Sequence, residues 1–138
     1  MDIKRFIDVA LTLPKEDSIL VTGDHGIGKS QCVYQIAKKL GLPVIERRLS
    51  QQSEGDLIGL PFKNEKNGST GFYPPDWFME CTKKPYVLFL DEINRATPEV
   101  KQASFEIVLD RRLNGHNLHQ DCRVFAAIAW ISVVGIPW

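Results

Sequence analysis

Apolar residues follow two different spacings along this chain, and each spacing predicts one kind of secondary structure. Recurrence at helical intervals predicts helices over residues 2–12, 29–40 and 98–112, and a shorter helix is expected over 75–82. Short continuous apolar runs predict buried strands over residues 18–22 and 86–90, and two further strands are expected over residues 43–49 and 123–129. The alternation of strand and helix predicts an α/β fold, an open parallel sheet with helices on both faces. Such sheets bind ligands at the carboxyl ends of their strands.

Residues 50–75 interrupt this alternation. They are rich in Gly, Asn, Ser and Pro. Two apolar segments, LIGLPF and GFYPP, flank the polar stretch NEKNGST, which is typical of a turn. We therefore predict a loop or hairpin inserted between the second and third strands of the sheet.

Composition and charge exclude several classes of function. The chain of 138 residues carries 17 basic and 17 acidic side chains, so no net field draws it to nucleic acid or to an anionic membrane. The apolar stretch 124–138 is shorter than the roughly 18 residues that span a bilayer. Three widely spaced cysteines form no C-x-x-C pair and the first residues contain no apolar signal-peptide core, which favours reduced thiols and a cytoplasmic location.

The segment GDHGIGKS, residues 23–30, matches the phosphate-binding pattern G-x-x-x-x-G-K-[ST]. It follows a predicted strand and opens a predicted helix, the context that this motif requires. Glycines let backbone N–H groups curl around an anion, the helix start adds donors, and Lys29 can reach terminal phosphates. The alternative is a glycine-rich turn without a ligand. The residues expected to bind nucleotide are Gly23, Asp24, His25, Gly26, Ile27, Gly28, Lys29, Ser30 and Gln31.

A second motif, VLFLDE, ends the predicted strand 86–90 with two carboxylates. Asp91 is expected to hold Mg²⁺, together with the hydroxyl of Ser30. Glu92 is the expected catalytic residue, placed to polarise a water for attack on the γ-phosphate. The alternative is a strand that runs into a solvated loop. This alternative is less favoured because the same chain also contains the glycine loop.

These residues carry a resemblance to a known family. GDHGIGKS together with LFLDEINRATPEVKQASFEIVLDRRL resembles the AAA+ ATPases of the MoxR group, and the likeness covers roughly residues 15–128. The inserted segment resembles a hairpin of that family with a D-L-x-G signature at residues 56–59. The resemblance implies a P-loop NTPase-type core at residues 1–129, with ATP and Mg²⁺ as cofactors and hydrolysis coupled to the remodelling of a client protein.

The same resemblance implies assembly and partners. It indicates a ring, usually a hexamer, and a von Willebrand factor A domain protein as a partner. Arg95, and Arg111 or Arg112, are candidates for the subunit boundary, although a surface salt bridge is an alternative for each. Two other functions stay open: a nucleotide-dependent binding module without hydrolysis, and a GTP-preferring relative from restriction systems. A small-molecule kinase is less favoured because such kinases lack the DEINRA helix.

The chain departs from the family pattern near its end. The fourth core strand of the family commonly ends in Asn, whereas Ala129 occupies that place and its methyl group cannot orient water. Residues 130–138, WISVVGIPW, have no family counterpart, and no fifth strand or helical lid follows. We therefore expect an incomplete core with an uncovered first strand and very slow hydrolysis. A truncated or frame-slipped end is the favoured interpretation; a minimal domain that borrows parts from a partner and an unrelated extension are the alternatives.

Overall fold

A computed structural model describes residues 3–24 and 28–130 of the chain. Its centre is a parallel sheet of four strands. Across the sheet these are, in order, β1 (Ile19–Asp24), β8 (Arg123–Trp130), β5 (Val87–Asp91) and β2 (Val44–Arg48). All four predicted strands are confirmed, and the open parallel sheet is the predicted one.

Five α-helices accompany the strands in the described part of the chain. They are α1 (Ile3–Thr12), α2 (Lys29–Leu40), α3 (Glu54–Leu57), α4 (Asp76–Lys83) and α5 (Pro98–Asp110). Gly41 ends α2 in the left-handed conformation, and the hydroxyl of Thr97 accepts the N–H of Val100 at the start of α5. The end of α2 and the start of α5 thus agree with the predicted helices 29–40 and 98–112.

Two hydrophobic clusters cover the two faces of the sheet. Alternate residues of β5 point to opposite sides: Leu88 and Leu90 join the cluster that contains α4 and α5, whereas Val87 and Phe89 join the cluster beneath α1 and α2. Each of these four side chains is fully buried. The strand is therefore apolar throughout because it is covered on both faces.

The inserted segment folds as predicted into a separate hairpin of β3 (Leu60–Asn64) and β4 (Ser69–Tyr73). The short helix α3 precedes it and begins with a capping box, in which the Ser53 hydroxyl and the Asp56 carboxylate each bond the other residue's backbone N–H. Leu57 is completely buried. The D-L-x-G signature thus has a structural role at this corner.

Helix α5 is shorter than the prediction of 98–112, because Arg111 adopts a left-handed backbone (φ 55°) and ends it. A second small hairpin of β6 (Arg112–Leu113) and β7 (His116–Asn117) follows. Its turn, Asn114 and Gly115, has positive φ at both residues, as tight hairpin turns require.

The edges and end of the sheet bear on the remaining predictions. Within the described residues, β1 is an edge strand, and the side chain of Leu20 is 51% exposed there. The part of the apolar stretch beyond Trp130 lies outside the described residues. No helix among residues 3–24 and 28–130 is both long and apolar enough to cross a membrane.

Candidate functional site

The glycine loop leads from β1 into α2 at the carboxyl edge of the sheet. Gly28 precedes the helix with φ 78° and ψ 24°, a left-handed conformation that glycine adopts without strain. Glycine has no side chain with which to cap the first turn of α2. The first backbone N–H groups of a helix have no partner within it, which makes such a helix start attractive to anions.

Lys29 links two neighbouring strands at this edge. Its Nζ donates hydrogen bonds of 3.2 Å to the carbonyl oxygens of Gly23 in β1 and Ile128 in β8. Strand β8 lies between β1 and β5, the strand that ends at Asp91. The two sequence motifs are consequently brought to the same edge of the sheet.

Asp91 is the last residue of β5 and is half-buried. Its Oδ1 accepts the backbone N–H of Glu92 at 2.8 Å. Burial raises the pKa of Asp91, and the hydrogen bond from the Glu92 amide opposes this shift. The charges of Glu92 and Glu46 also raise that pKa, whereas the positive charge of Lys29 lowers it. Asp91 is thus a carboxylate whose negative charge is poorly compensated in the free chain.

Glu92 follows directly and has an unusual backbone for a non-glycine residue, with φ 55° and ψ 41°. Its side chain is only 5% exposed. Oε2 accepts a hydrogen bond from the hydroxyl of Ser50, and Oε1 lies 3.8 Å from Nη1 of Arg95. The Glu92 carboxylate is therefore held in a defined place beside the edge of the sheet.

A third carboxylate, in the strand next to β5, was not predicted from the sequence. Glu46 in β2 accepts a hydrogen bond from the Ser30 hydroxyl at Oε1 (3.3 Å) and another from the Tyr34 hydroxyl at Oε2 (2.8 Å). The bond to Glu46, followed by burial, raises the pKa of Tyr34. The available signal was a single acidic residue at the centre of a short strand.

Sequence reasoning also missed Ser50, which stands just after β2 in a short 3-10 turn. Because Arg48 pairs with Asp91 in the parallel register, the chain after β2 passes close to the chain after β5. A serine after a strand carries no signal on its own. Only the register of the two strands makes it a partner of Glu92.

The remaining predicted residues have the following places. Gly23 and Asp24 end β1, paired with Ala129 and Trp130, and Gln31 is exposed in the first turn of α2. His25, Gly26 and Ile27 lie outside the described residues, as do the side chains of Asp24 and Ala129.

The three arginines considered for a subunit boundary have partners within the chain. Arg95 is near Glu92, and Arg112 lies 3.9 Å from Glu106. Arg111 donates to the carbonyl oxygens of Lys15 and Cys122. Because Cys122 immediately precedes β8, Arg111 is at the amino edge of the sheet, opposite the edge that holds the glycine loop.

No group of three or more His, Cys, Asp or Glu side chains within residues 3–24 and 28–130 is arranged to hold a metal ion. Ser30 and Asp91 supply oxygen atoms, the ligand type that Mg²⁺ prefers. Mg²⁺ commonly takes only one or two protein ligands and completes its shell with phosphate and water. The residues present fit such a shared site and do not form an all-protein cage.

The parallel sheet, the helices on both faces and the glycine loop at its carboxyl edge define a P-loop NTPase-type core. The model of the family described as AAA domain (dynein-related subfamily) matches residues 18–133. The chain therefore belongs to this AAA family.

Curated relatives share parts of the sequence. Midasin from Giardia intestinalis is 31% identical over 113 residues, which are 80% of this chain and 2% of midasin. The replication factor C large subunit from Thermoplasma acidophilum is 33% identical over 82 residues, 58% of this chain and 18% of that protein. The chain thus spans a small part of either relative.

Solved structures show the same fold at lower sequence identity. The RuvB Holliday junction branch migration motor of Thermotoga maritima has a TM-score of 0.58 at 20% identity, covering 92% of this chain and 38% of RuvB. NtrX from Brucella abortus in complex with ADP has a TM-score of 0.60 at 19% identity, covering 94% of this chain and 29% of NtrX. At this identity the likeness concerns the fold alone.

Proposed function

We propose that this domain binds ATP with Mg²⁺ at the carboxyl edge of its sheet. The observation that carries the proposal is the position of Lys29, whose ammonium bridges β1 and β8 next to the strand that ends at Asp91. A triphosphate at the start of α2 would have a cation on one side and a carboxylate on the other. NtrX, which has the same fold, is a structural neighbour solved with ADP.

Each residue has a distinct role in this proposal. Backbone N–H groups at the start of α2 bind phosphate oxygens, and Lys29 exchanges its two carbonyl partners for the terminal phosphates. Ser30 and Asp91 would hold Mg²⁺, which supplies charge neutralisation at the phosphates when bound. Burial is the main cause of the raised pKa of Asp91. The positive charge of a bound cation would stabilise the ionised form of this carboxylate.

Glu92 is proposed as the general base that orients the attacking water. Its buried carboxylate is fixed by Ser50 and lies beside Arg95. A non-glycine residue in the left-handed region costs about 1 kcal/mol or more, and such strain is concentrated at functional sites.

At a finer level, we propose that the chain is the nucleotide-binding part of a MoxR-like ATPase that works as a ring. The glycine loop, the DEINRA segment and the inserted hairpin with its D-L-x-G signature support this assignment. Remodelling of a client protein and pairing with a von Willebrand factor A domain protein belong to the same proposal. A cytoplasmic location agrees with Cys32, Cys81 and Cys122, which are buried free thiols.

A nucleotide-dependent binding module without hydrolysis is the second candidate function. Ala129 favours it, because the sequence places a methyl group where the MoxR-like family commonly carries an Asn that orients water. We expect turnover by this chain well below about 1 s⁻¹, the lower end of the range typical of enzymes. Phosphate release measured at saturating ATP decides the matter, and a rate of about 1 s⁻¹ or faster contradicts the second candidate.

Titration with a fluorescent ATP analogue in the presence of Mg²⁺ tests the binding site. Lys29→Ala is expected to weaken binding about 100-fold, or about 2.7 kcal/mol, because a charged contact to the phosphates is lost. Lys39→Ala, in the last turn of the same helix, is the matched control and should leave the affinity unchanged. Competition with unlabelled ATP and GTP reports the base preference. Equal binding by the Lys29→Ala variant and the unchanged chain would refute the site.

A further inference from the structure

Glu46 joins two hydroxyl groups of α2 to the middle of strand β2. Oε1 accepts the Ser30 hydroxyl at 3.3 Å and Oε2 accepts the Tyr34 hydroxyl at 2.8 Å. Ser30 and Tyr34 are four residues apart, so their side chains lie on one face of the helix, one turn apart. A single carboxylate can therefore hold both, one with each oxygen.

The direction of the Ser30 hydrogen bond has a chemical consequence. A hydroxyl has one proton to donate and two lone pairs to offer. When the proton points to Glu46, the lone pairs of the Ser30 oxygen point elsewhere and stay available to a cation. Glu46 pairs with Phe89 of β5, and Asp91, two residues further along that strand, points to the same face of the sheet as Phe89.

We propose that Glu46 is a positioning residue that turns the Ser30 hydroxyl towards Mg²⁺ when the nucleotide binds, with Tyr34 fixing the second oxygen of the carboxylate. This inference rests on the proposed nucleotide site. Glu46 acts through Ser30 and does not itself contact the nucleotide. The ligand class is a nucleoside triphosphate with a divalent cation.

The charge balance supports this role. Within the part of the chain that the structure describes, no lysine or arginine forms an ion pair with Glu46. Glu46 and Asp91 are both half-buried carboxylates. A bound divalent cation would offset their negative charge.

The affinity for an ATP analogue, measured with Mg²⁺ and again with EDTA, separates this role from a purely structural one. Glu46→Ala should reduce the enhancement by Mg²⁺ about tenfold, the worth of one good hydrogen bond, with less than about a twofold change in EDTA. Glu46→Gln keeps an acceptor and should lose only about threefold. Glu65→Gln, in the turn of the inserted hairpin, is the control and should behave like the unchanged chain.

The ultraviolet titration of tyrosine provides a readout that needs no nucleotide. The hydrogen bond to Glu46 raises the pKa of Tyr34, so Glu46→Gln should bring that pKa down. Tyr34→Phe identifies the Tyr34 transition among the three tyrosines of the chain. An unchanged titration in Glu46→Gln contradicts the contact itself.

The outcomes are distinct. Loss of the Mg²⁺ enhancement in Glu46→Ala, with binding in EDTA preserved, supports the inference. If the affinity of Glu46→Ala falls equally with and without Mg²⁺, the role of Glu46 is purely structural, and the inference is wrong. An unchanged chain that binds no nucleotide contradicts the proposed function and the inference together, whereas a failure confined to the variants leaves the proposed function standing.

Discussion

Lys29 and Asp91 lie at the same edge of the sheet, although they belong to elements far apart in the sequence. The Lys29 ammonium bonds the carbonyl oxygen of Ile128 in β8, the neighbour of the strand that ends at Asp91. Burial raises the pKa of Asp91, and the charge of Lys29 opposes that shift. If Lys29 and Asp91 lay at opposite edges of the sheet, they could not share a ligand. They lie at the same edge.

Replacing Asp91 by Asn should stabilise the free chain while weakening its binding of the Mg²⁺ nucleotide. Because the pKa of Asp91 is raised in the folded state, ionisation opposes folding, and stability falls as the pH rises from the unfolded value near 3.8 through the folded one. Asn removes the charge and keeps an oxygen for the Glu92 amide. Because solvent screens this half-exposed group, we expect Asp91→Asn to raise the free energy of unfolding by at most about 1 kcal/mol at neutral pH. The melting temperature should then rise by about 2–5 °C.

Thermal melts of both proteins across the acid range, without nucleotide, check this expectation. The advantage of the Asp91→Asn variant should shrink as the pH falls and the wild-type carboxyl takes up its proton. A variant that is less stable than the wild type at neutral pH would contradict the assigned cause of the pKa shift. Nucleotide titration of the same variant should show a Mg²⁺ dependence that is largely lost.

Ser50 and Glu92 should be energetically coupled in the free chain. The Ser50 hydroxyl donates to a carboxylate that is only 5% exposed, so Ser50→Ala leaves a buried charge with one donor fewer. Loss of a hydrogen bond to a charged group costs about 1.5–3 kcal/mol. Urea unfolding of Ser50→Ala, Glu92→Gln and the double variant should give a coupling free energy of at least about 1 kcal/mol. Strict additivity of the two single changes would show that the contact contributes nothing.

The elements of this fold could be predicted from the sequence because their signals are local. Strand β5 is apolar up to its last residue, and Thr97 and Pro98 mark the start of α5 without reference to any other segment. Asp91 could likewise be predicted from local sequence, because it is a carboxylate directly after an apolar run. For the candidate site, local signals therefore sufficed to predict where the glycine loop and the strand-end carboxylates stand in the chain.

The contacts around those residues could not be predicted, because they depend on strand register. Arg48 pairs with Asp91, and Glu46 pairs with Phe89. A shift by one residue would have turned Glu46 to the opposite face, away from Ser30. No local signal in the sequence indicates this register, because the two strands are separated by a hairpin and a helix.

Gly59, the last residue of the D-L-x-G signature, should tolerate no side chain. Its φ is +98°, and a Cβ atom there would lie 2.0 Å from the carbonyl oxygen of Tyr73. We expect Gly59→Ala to destabilise the inserted hairpin by about 3 kcal/mol or more, since backbone strain adds to a clash with backbone. Hydrogen exchange of the β3 and β4 amides measures this effect locally.

Gly68, in the turn of the same hairpin, is the matched control for Gly59. Its φ of +68° is also left-handed, but a Cβ atom there meets nothing within 4 Å. Gly68→Ala should therefore cost only about 1–2 kcal/mol, the strain of the backbone alone. Equal losses of protection in the two variants would mean that the approach of Tyr73 does not matter.

Arg123 should anchor α1 to the sheet. Its side chain is 6% exposed, and its Nη2 and Nη1 each donate at 2.9 Å, to the carbonyl oxygens of Ala10 and Leu13 at the end of α1. Arg123→Met keeps the bulk but leaves these two acceptors without donors. Because it also removes the buried Nε of Arg123, which has no hydrogen-bond partner among the described residues, the net cost in urea unfolding should be about 1–2 kcal/mol. Arg112→Met is the control; its exposed side chain lies 3.9 Å from Glu106, and its loss should cost less than about 0.5 kcal/mol. If both variants unfold at the same urea concentration, the docking of α1 does not depend on Arg123.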